Sequence, residues 1–149
     1  MKKFITLIFL SFSISTFANA ADSLISVKSH HSAKETANRF SSIVERKGLT
    51  LFARIDHQKN AAGIGSTLRE TEVIIFGNPK VGTPIMQCSQ QAAIDLPQKV
   101  LVWTDANNTV WLSYNNPEYI KERHAIKGCD KVLTKITNVL SGLTNAAAK

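Results

Sequence analysis

Apolar residues recur at Ala33, Ala37, Phe40 and Val44, steps of four, three and four that mark one face of a helix. Ser32-Ala33-Lys34-Glu35 in front of them reads as a capping box, and Arg46, Lys47 and Gly48 close the segment as a basic last turn and a left-handed stop. The pattern predicts a helix over 32–47. Leu24 to Lys28 alternates as a first strand, Leu49 to Asp56 as a second, and Glu70 to Gly77, with its β-branched centre Val73-Ile74-Ile75, as a third. Lys59 to Ser66, containing Ala-Ala-Gly-Ile-Gly, reads as a loose connection. Lys99 to Trp103 and Val110 to Tyr114 form a hairpin around Asp105-Ala106-Asn107-Asn108. A last helix over 129–143 places Cys129, Leu133, Ile136, Leu140 and Leu143 on one face. The order strand-helix-strand-strand-helix-strand-strand-helix predicts an α+β domain, an antiparallel sheet with helices packed on one face. Its other face is left for a homodimer partner or an apolar ligand cleft.

The segment Phe76-Gly-Asn-Pro-Lys-Val-Gly-Thr-Pro-Ile-Met-Gln87 interrupts this alternation. Gly77 and Gly82 have the spacing of a Walker phosphate loop, but Thr83 stands where that loop needs lysine, which excludes it. Turn chemistry accounts for the rest: Asn78-Pro79 turns the chain, and Thr83-Pro84 reads as the cap and first residue of a helix over 84–94 carrying Ile85, Cys88 and Ala92. Asn116-Pro117-Glu118 caps a short helix with Ile120 and His124.

Lys2 and Lys3, the apolar run Phe4 to Phe17 and Ala18-Asn19-Ala20 make up a secretory signal peptide cleaved after Ala20. Residue 21 is Ala rather than a lipid-accepting Cys, so the expected product is periplasmic, without membrane insertion after cleavage, and a single domain over 21–149. Loss of the two lysines lowers the formal charge from +7 to +5 (7 − 2), and the remaining basic residues are scattered. That argues against nucleic acid as a partner. Lys127, Lys131 and Lys135 share a face of the last helix and read as solvated. Cys88 and Cys129 are the only cysteines; in an oxidising compartment an even pair suggests a disulfide, against the alternative of two buried thiols.

At Ile55-Asp56-His57, Ile75-Phe76-Gly77-Asn78-Pro79, Gly82-Thr83-Pro84-x-Met86-Gln87, Asp95-Leu96-Pro97 and Tyr114-Asn115-x-Pro117, the chain resembles the bacterial family called domain of unknown function 302. The resemblance runs over about residues 25 to 143. It implies a compact α+β domain similar in topology to the TATA-binding-protein-like fold, often dimeric, with no assigned activity. The family pattern implies Asp where this chain has Asn116.

Polar residues at strand ends beside turns define the candidate ligand site: Asp56, His57, Asn78, Pro79, Tyr114 and Asn115, with Met86 as an apolar wall. An imidazole beside a carboxylate suits a base or a ligand, although neighbours on a strand point to opposite faces. His57, Met86, Cys88 and His124, along with His30-His31, are soft or borderline donors that define an alternative Cu or Zn site, without the spacing of a known ligand motif. No cofactor is otherwise predicted. No nucleophile elbow is present, and a hydrolase would need Thr83 beside His57 or His124. The leading expectation is an exported binding or sensing domain that forms a homodimer and recognises a small molecule or protein. A periplasmic metal or redox protein comes second and a small hydrolase third.

Overall fold

Leu24–Lys28 (β1), Thr50–Asp56 (β2), Thr71–Gly77 (β3), Gln98–Thr104 (β4) and Val110–Asn115 (β5) pair as one antiparallel sheet in the order β1-β5-β4-β3-β2. The computed structural model describes residues 23–149, so the expected signal peptide and its cleavage point lie outside the described residues. Helices Ala33–Arg46 (α1) and Asp130–Ala148 (α5) supply most of the helical core; His57–Gly63 (α2), Pro79–Cys88 (α3), a 3₁₀ segment Gln90–Asp95 and Pro117–Arg123 (α4) complete the chain. The α+β class and the antiparallel sheet are as the alternation predicts.

Period-two alternation sorts the sheet into two faces. Ile74 and Phe76 of β3, Val100 and Val102 of β4, and Leu112 and Tyr114 of β5 are buried under the helices. Phe40 of α1 meets Phe76 edge to face at 5.1 Å. Helix α1 buries Ala33, Ala37, Phe40 and Val44, the stripe read from the sequence. The Ser32 hydroxyl accepts from the Glu35 N–H, while the Glu35 carboxylate meets His31 Nδ1 at 3.1 Å. Gly48, at φ +69°, ends the helix in the left-handed conformation expected of it.

Helix α5 continues past the predicted end at residue 143 to Ala148, because its last carbonyls are satisfied from elsewhere. Arg39 of α1 donates to the carbonyl oxygens of Ala147 and Ala146, and the His30 N–H donates to that of Ala148.

Two local expectations are corrected. The loose connection at 59–66 is largely helix α2, capped by the Asp56 carboxylate, which accepts from the Lys59 N–H at 2.8 Å. The helix predicted over 84–94 instead starts at Pro79, with Asn78 as its cap accepting from the Lys80 N–H at 2.9 Å; it ends at Cys88 and gives way to the 3₁₀ segment. Of the two cap-and-proline pairs the chain uses the first, because β3 ends at Gly77 and the helix follows at once. Pro84 then sits inside α3.

Cys88, the last residue of α3, and Cys129, the cap of α5, form a disulfide with Cα atoms 6.5 Å apart. Cys129 is buried, as predicted for an apolar face, whereas Cys88 is exposed.

Candidate functional site

Strand register decides which of the candidate polar residues converge. Asp56 pairs with Glu72 and Thr50 with Gly77, so Asp56-His57 and Gly77-Asn78 lie at opposite ends of the β2–β3 pair. Six residues of extended chain separate them, about 20 Å. Asp56 is occupied in capping α2, and His57, the first residue of that helix, is exposed. The expected grouping of Asp56-His57 with Asn78-Pro79 is therefore not assembled.

Tyr114 and Asn115 lie at the Asn78 end but point to different faces. Tyr114 is 3% exposed in the core beneath α5. Burial pushes its phenol above the ordinary tyrosine range, while a hydrogen bond with Thr144 pulls the other way. Asn115 is its neighbour on the strand and faces the opposite side. A phenol packed in the core and an amide on the open face cannot hold one ligand together.

Asn78, Pro79 and Met86 do come together. They line a hollow of about 240 Å³ walled by Phe52, Leu96 and Pro97. Phe52 is the extra residue of a bulge in β2, between Leu51 and Ala53, and remains half exposed. Gly77 brings the backbone against this wall: a Cβ there would lie 3.6 Å from both Phe52 and Pro97. A second hollow, about 590 Å³, opens on the other side of the same backbone, between α5, the end of α1 and the end of β3. The two share Gly77, Asn78, Val81, Gln98 and Ile136, so the interrupted segment of the sequence is a partition between two apolar clefts. Their volumes bracket the lower range of small-molecule sites.

The alternative metal set is not brought together. Cys88 is consumed by its disulfide, His57 lies at the far end of the sheet, and His124 is engaged elsewhere. Among the described residues no group of three or more His, Cys, Asp or Glu side chains is placed to hold a metal ion. Thr83 lines the smaller hollow, away from His57.

One polar relationship was not foreseen. His124 Nε2 lies 2.5 Å from Asp95 Oδ2, with the two side chains 6% and 10% exposed, and Arg123 reaches the other oxygen at 3.3 Å. Asp95 had appeared in the sequence only within the Asp95-Leu96-Pro97 motif. Its partner stands 29 residues away on the end of α4, beyond what spacing reveals. The contact ties the 3₁₀ segment to α4 beside the smaller hollow, where Leu96 and Pro97, joined by a cis peptide bond, form part of the wall.

The open face of the sheet carries Val73 and Ile75 of β3, Leu101 and Trp103 of β4, and Trp111 of β5, all partly exposed. Both indoles are anchored, Trp103 Nε1 donating to Ser113 Oγ at 2.9 Å and Trp111 Nε1 to Asp105 Oδ2 at 2.9 Å. Their polar edges are satisfied within the fold.

A five-stranded antiparallel sheet with helices on one face and a motif-bearing β3–α3 junction defines a small α+β domain of a specific type. The sequence profile described as Domain of unknown function DUF302 matches residues 25–143, and the chain belongs to that family. A solved structure, an uncharacterized conserved DUF302 protein from Bacillus stearothermophilus, superposes with a TM-score of 0.77 at 14% identity, covering 85% of this chain and 99% of that one; at this identity the likeness concerns the fold. The chain is also similar to two proteins named Fluoride-specific ion channel FluC 1, from Brucella suis biovar 1 (strain 1330) and Brucella abortus biovar 1 (strain 9-941). Each is 40% identical over 103 residues, 69% of this chain. The alignment spans only 41% and 38% of those proteins' own lengths.

Proposed function

We propose that this chain is an exported binding or sensing domain that works as a homodimer and recognises a small ligand rather than turning one over. The observation that carries the reading is the position of the family motif at Gly77-Asn78-Pro79, on the partition between two apolar hollows. Three polar side chains nearby are spent on structure: Asn78 caps α3, and Asp95 and His124 satisfy one another. A site built this way draws most of its binding from shape and apolar contact. For the dimer, the apolar open face around Leu101 and the two tryptophans is the natural surface, because a patch of this kind is costly to leave in water.

A second reading draws on the relatives. Two curated channels contain a segment 40% identical to this chain, yet none of its described helices is long and apolar enough to cross a membrane. In this reading the shared segment is a domain outside the membrane in those channels, and the present chain is a counterpart of it that partners an ion channel.

One preparation tests both. Untagged protein from the periplasm, cross-linked in intact cells for one half of the sample, is examined by native mass spectrometry and by identification of co-purifying proteins. A dimer with an added mass supports the ligand reading, and a cross-linked channel subunit supports the second. A bare monomer without partners overturns both.

A further inference from the structure

The larger hollow has a charge pattern that narrows its ligand. Its accessible apolar lining is Ile43, Leu49, Val81 and Val139, over the buried Phe76 and Leu140, with the polar Asn78, Gln98 and Asn138 among them. Two lysines also line it: Lys47 at the end of α1 and Lys135 on α5. Among the described residues no acidic side chain lines either this hollow or its smaller neighbour. Neither lysine takes part in an ion pair among the described residues, although Lys121 does so, with Asp130 at 2.7 Å. The stripe Lys127, Lys131 and Lys135 thus contributes only its last member to the cleft.

An apolar trough with unpaired cations on its walls is complementary to a molecule with one apolar tail and one anionic head. We propose that the cleft beside Gly77 binds a free, unesterified carboxylate with a single alkyl chain, the tail along Ile43, Leu49 and Val139 and the head reached by Lys47 and Lys135. This deepens the binding-module reading and rests on it. The tail supplies the affinity through burial of its methylenes. The lysines supply the preference for an anion and, with their long stems, can follow the head without a rigid socket. The smaller hollow across Asn78 offers continuing apolar surface for a longer tail.

The probe is dodecanoate, used below its micelle-forming concentration, with dodecanol and dodecyltrimethylammonium as neutral and cationic counterparts of equal tail length. Binding is read by amide chemical shifts and by titration calorimetry on the mature chain. Dodecanoate is expected to shift resonances of Phe76, Ile136 and Val139 and to bind about tenfold more tightly than dodecanol, since roughly 1.4 kcal/mol from two exposed cations corresponds to that factor. The variant Lys47→Glu/Lys135→Glu should abolish this preference, bringing dodecanoate to or below the affinity of dodecanol. Val139→Glu, at a position exposed enough to tolerate the change, should weaken dodecanoate about tenfold.

Equal binding of the three probes, or a preference untouched by the double charge reversal, overturns the carboxylate assignment while the cleft survives as a neutral-ligand site. Absence of shifts around the cleft with any probe overturns the proposal and the placement of the binding site together. A binding-competent protein whose shifts fall on the open sheet face instead overturns this site and leaves the binding-module reading intact.

Discussion

His124 and Asp95 stand 2.5 Å apart with their side chains almost wholly enclosed, joining the end of α4 to the 3₁₀ segment that precedes β4. Enclosed polar groups of this kind are costly to orphan. Replacing Asp95 by Ala deprives both His124 and Arg123 of their acceptor and is expected to cost about 2 kcal/mol. His124→Ala should cost less, because Arg123 still reaches the carboxylate. Urea unfolding of the two single variants and the double variant checks this: a coupling energy of about 1 kcal/mol is expected, and additivity would show that the contact contributes nothing of its own.

The disulfide between Cys88 and Cys129 closes a separation of 41 residues. On loop-entropy grounds its removal by Cys88→Ala/Cys129→Ala should destabilise the domain by about 4 kcal/mol. Peptide mapping without reductant should recover the two half-cystines joined, and thermal melting in the presence and absence of reductant should differ for the native chain and coincide for the variant.

Asp105 organises the β4–β5 turn: Oδ1 accepts the backbone N–H groups of Asn107 and Thr109 at 2.8 Å each, and Oδ2 accepts Trp111 Nε1. These bonds, the one from Trp111 foremost and that from Thr109 next, hold its carboxyl below the usual aspartate range. In the unfolded chain the group titrates at about 3.9. A carboxyl depressed in the folded state adds stability that is fully present above the unfolded value and lost as pH falls through the folded one. The gap in urea midpoint between the native chain and Asp105→Ala should therefore be constant at neutral pH and narrow on acidification below about 4. A gap independent of pH would mean that the carboxylate charge plays no part.

These three cases mark how far local patterning reaches. The α1 stripe, the Gly48 stop and the β3 centre are legible because each is a regular period bounded by residues with a single strong conformational preference. Helix α2 is not legible: it has no buried residue, so no apolar face exists to betray its period, and Ala61-Ala62-Gly63 reads equally well as loop. Asn78-Pro79 and Thr83-Pro84 are equivalent helix starts in isolation, and only the end of β3 at Gly77 selects between them.

The site follows the same division. Asn78, Pro79 and Met86 were found because the sequence brings them near one another, and they do line one hollow. Asp56-His57 failed to join them for a reason of register, which places the two ends of a strand about 20 Å apart whatever their chemistry. Lys47, Lys135 and Phe52 carry no site signal in the sequence: Lys47 reads as part of a basic last turn, Lys135 as part of a solvated stripe and Phe52 as an ordinary strand position. It takes the bulge in β2 and the packing of α5 against α1 to bring them to the cleft walls.

The strand order has a kinetic meaning as well. Strands β2 to β5 follow one another along the sheet, each pairing with its neighbour in sequence, across connections that carry α2, then α3 with the 3₁₀ segment, and last the tight turn at Asp105. Among the described residues strand β1 has only β5 beside it, with Leu24 paired to Asn115. Most of the sheet-forming sequence separates the two partners, and α1 links β1 at one margin of the sheet to β2 at the other. A fragment ending before residue 110 would keep the meander's first turns but strand its own beginning. The pairing of β1 therefore depends on β5, a contact between opposite ends of the sheet-forming sequence.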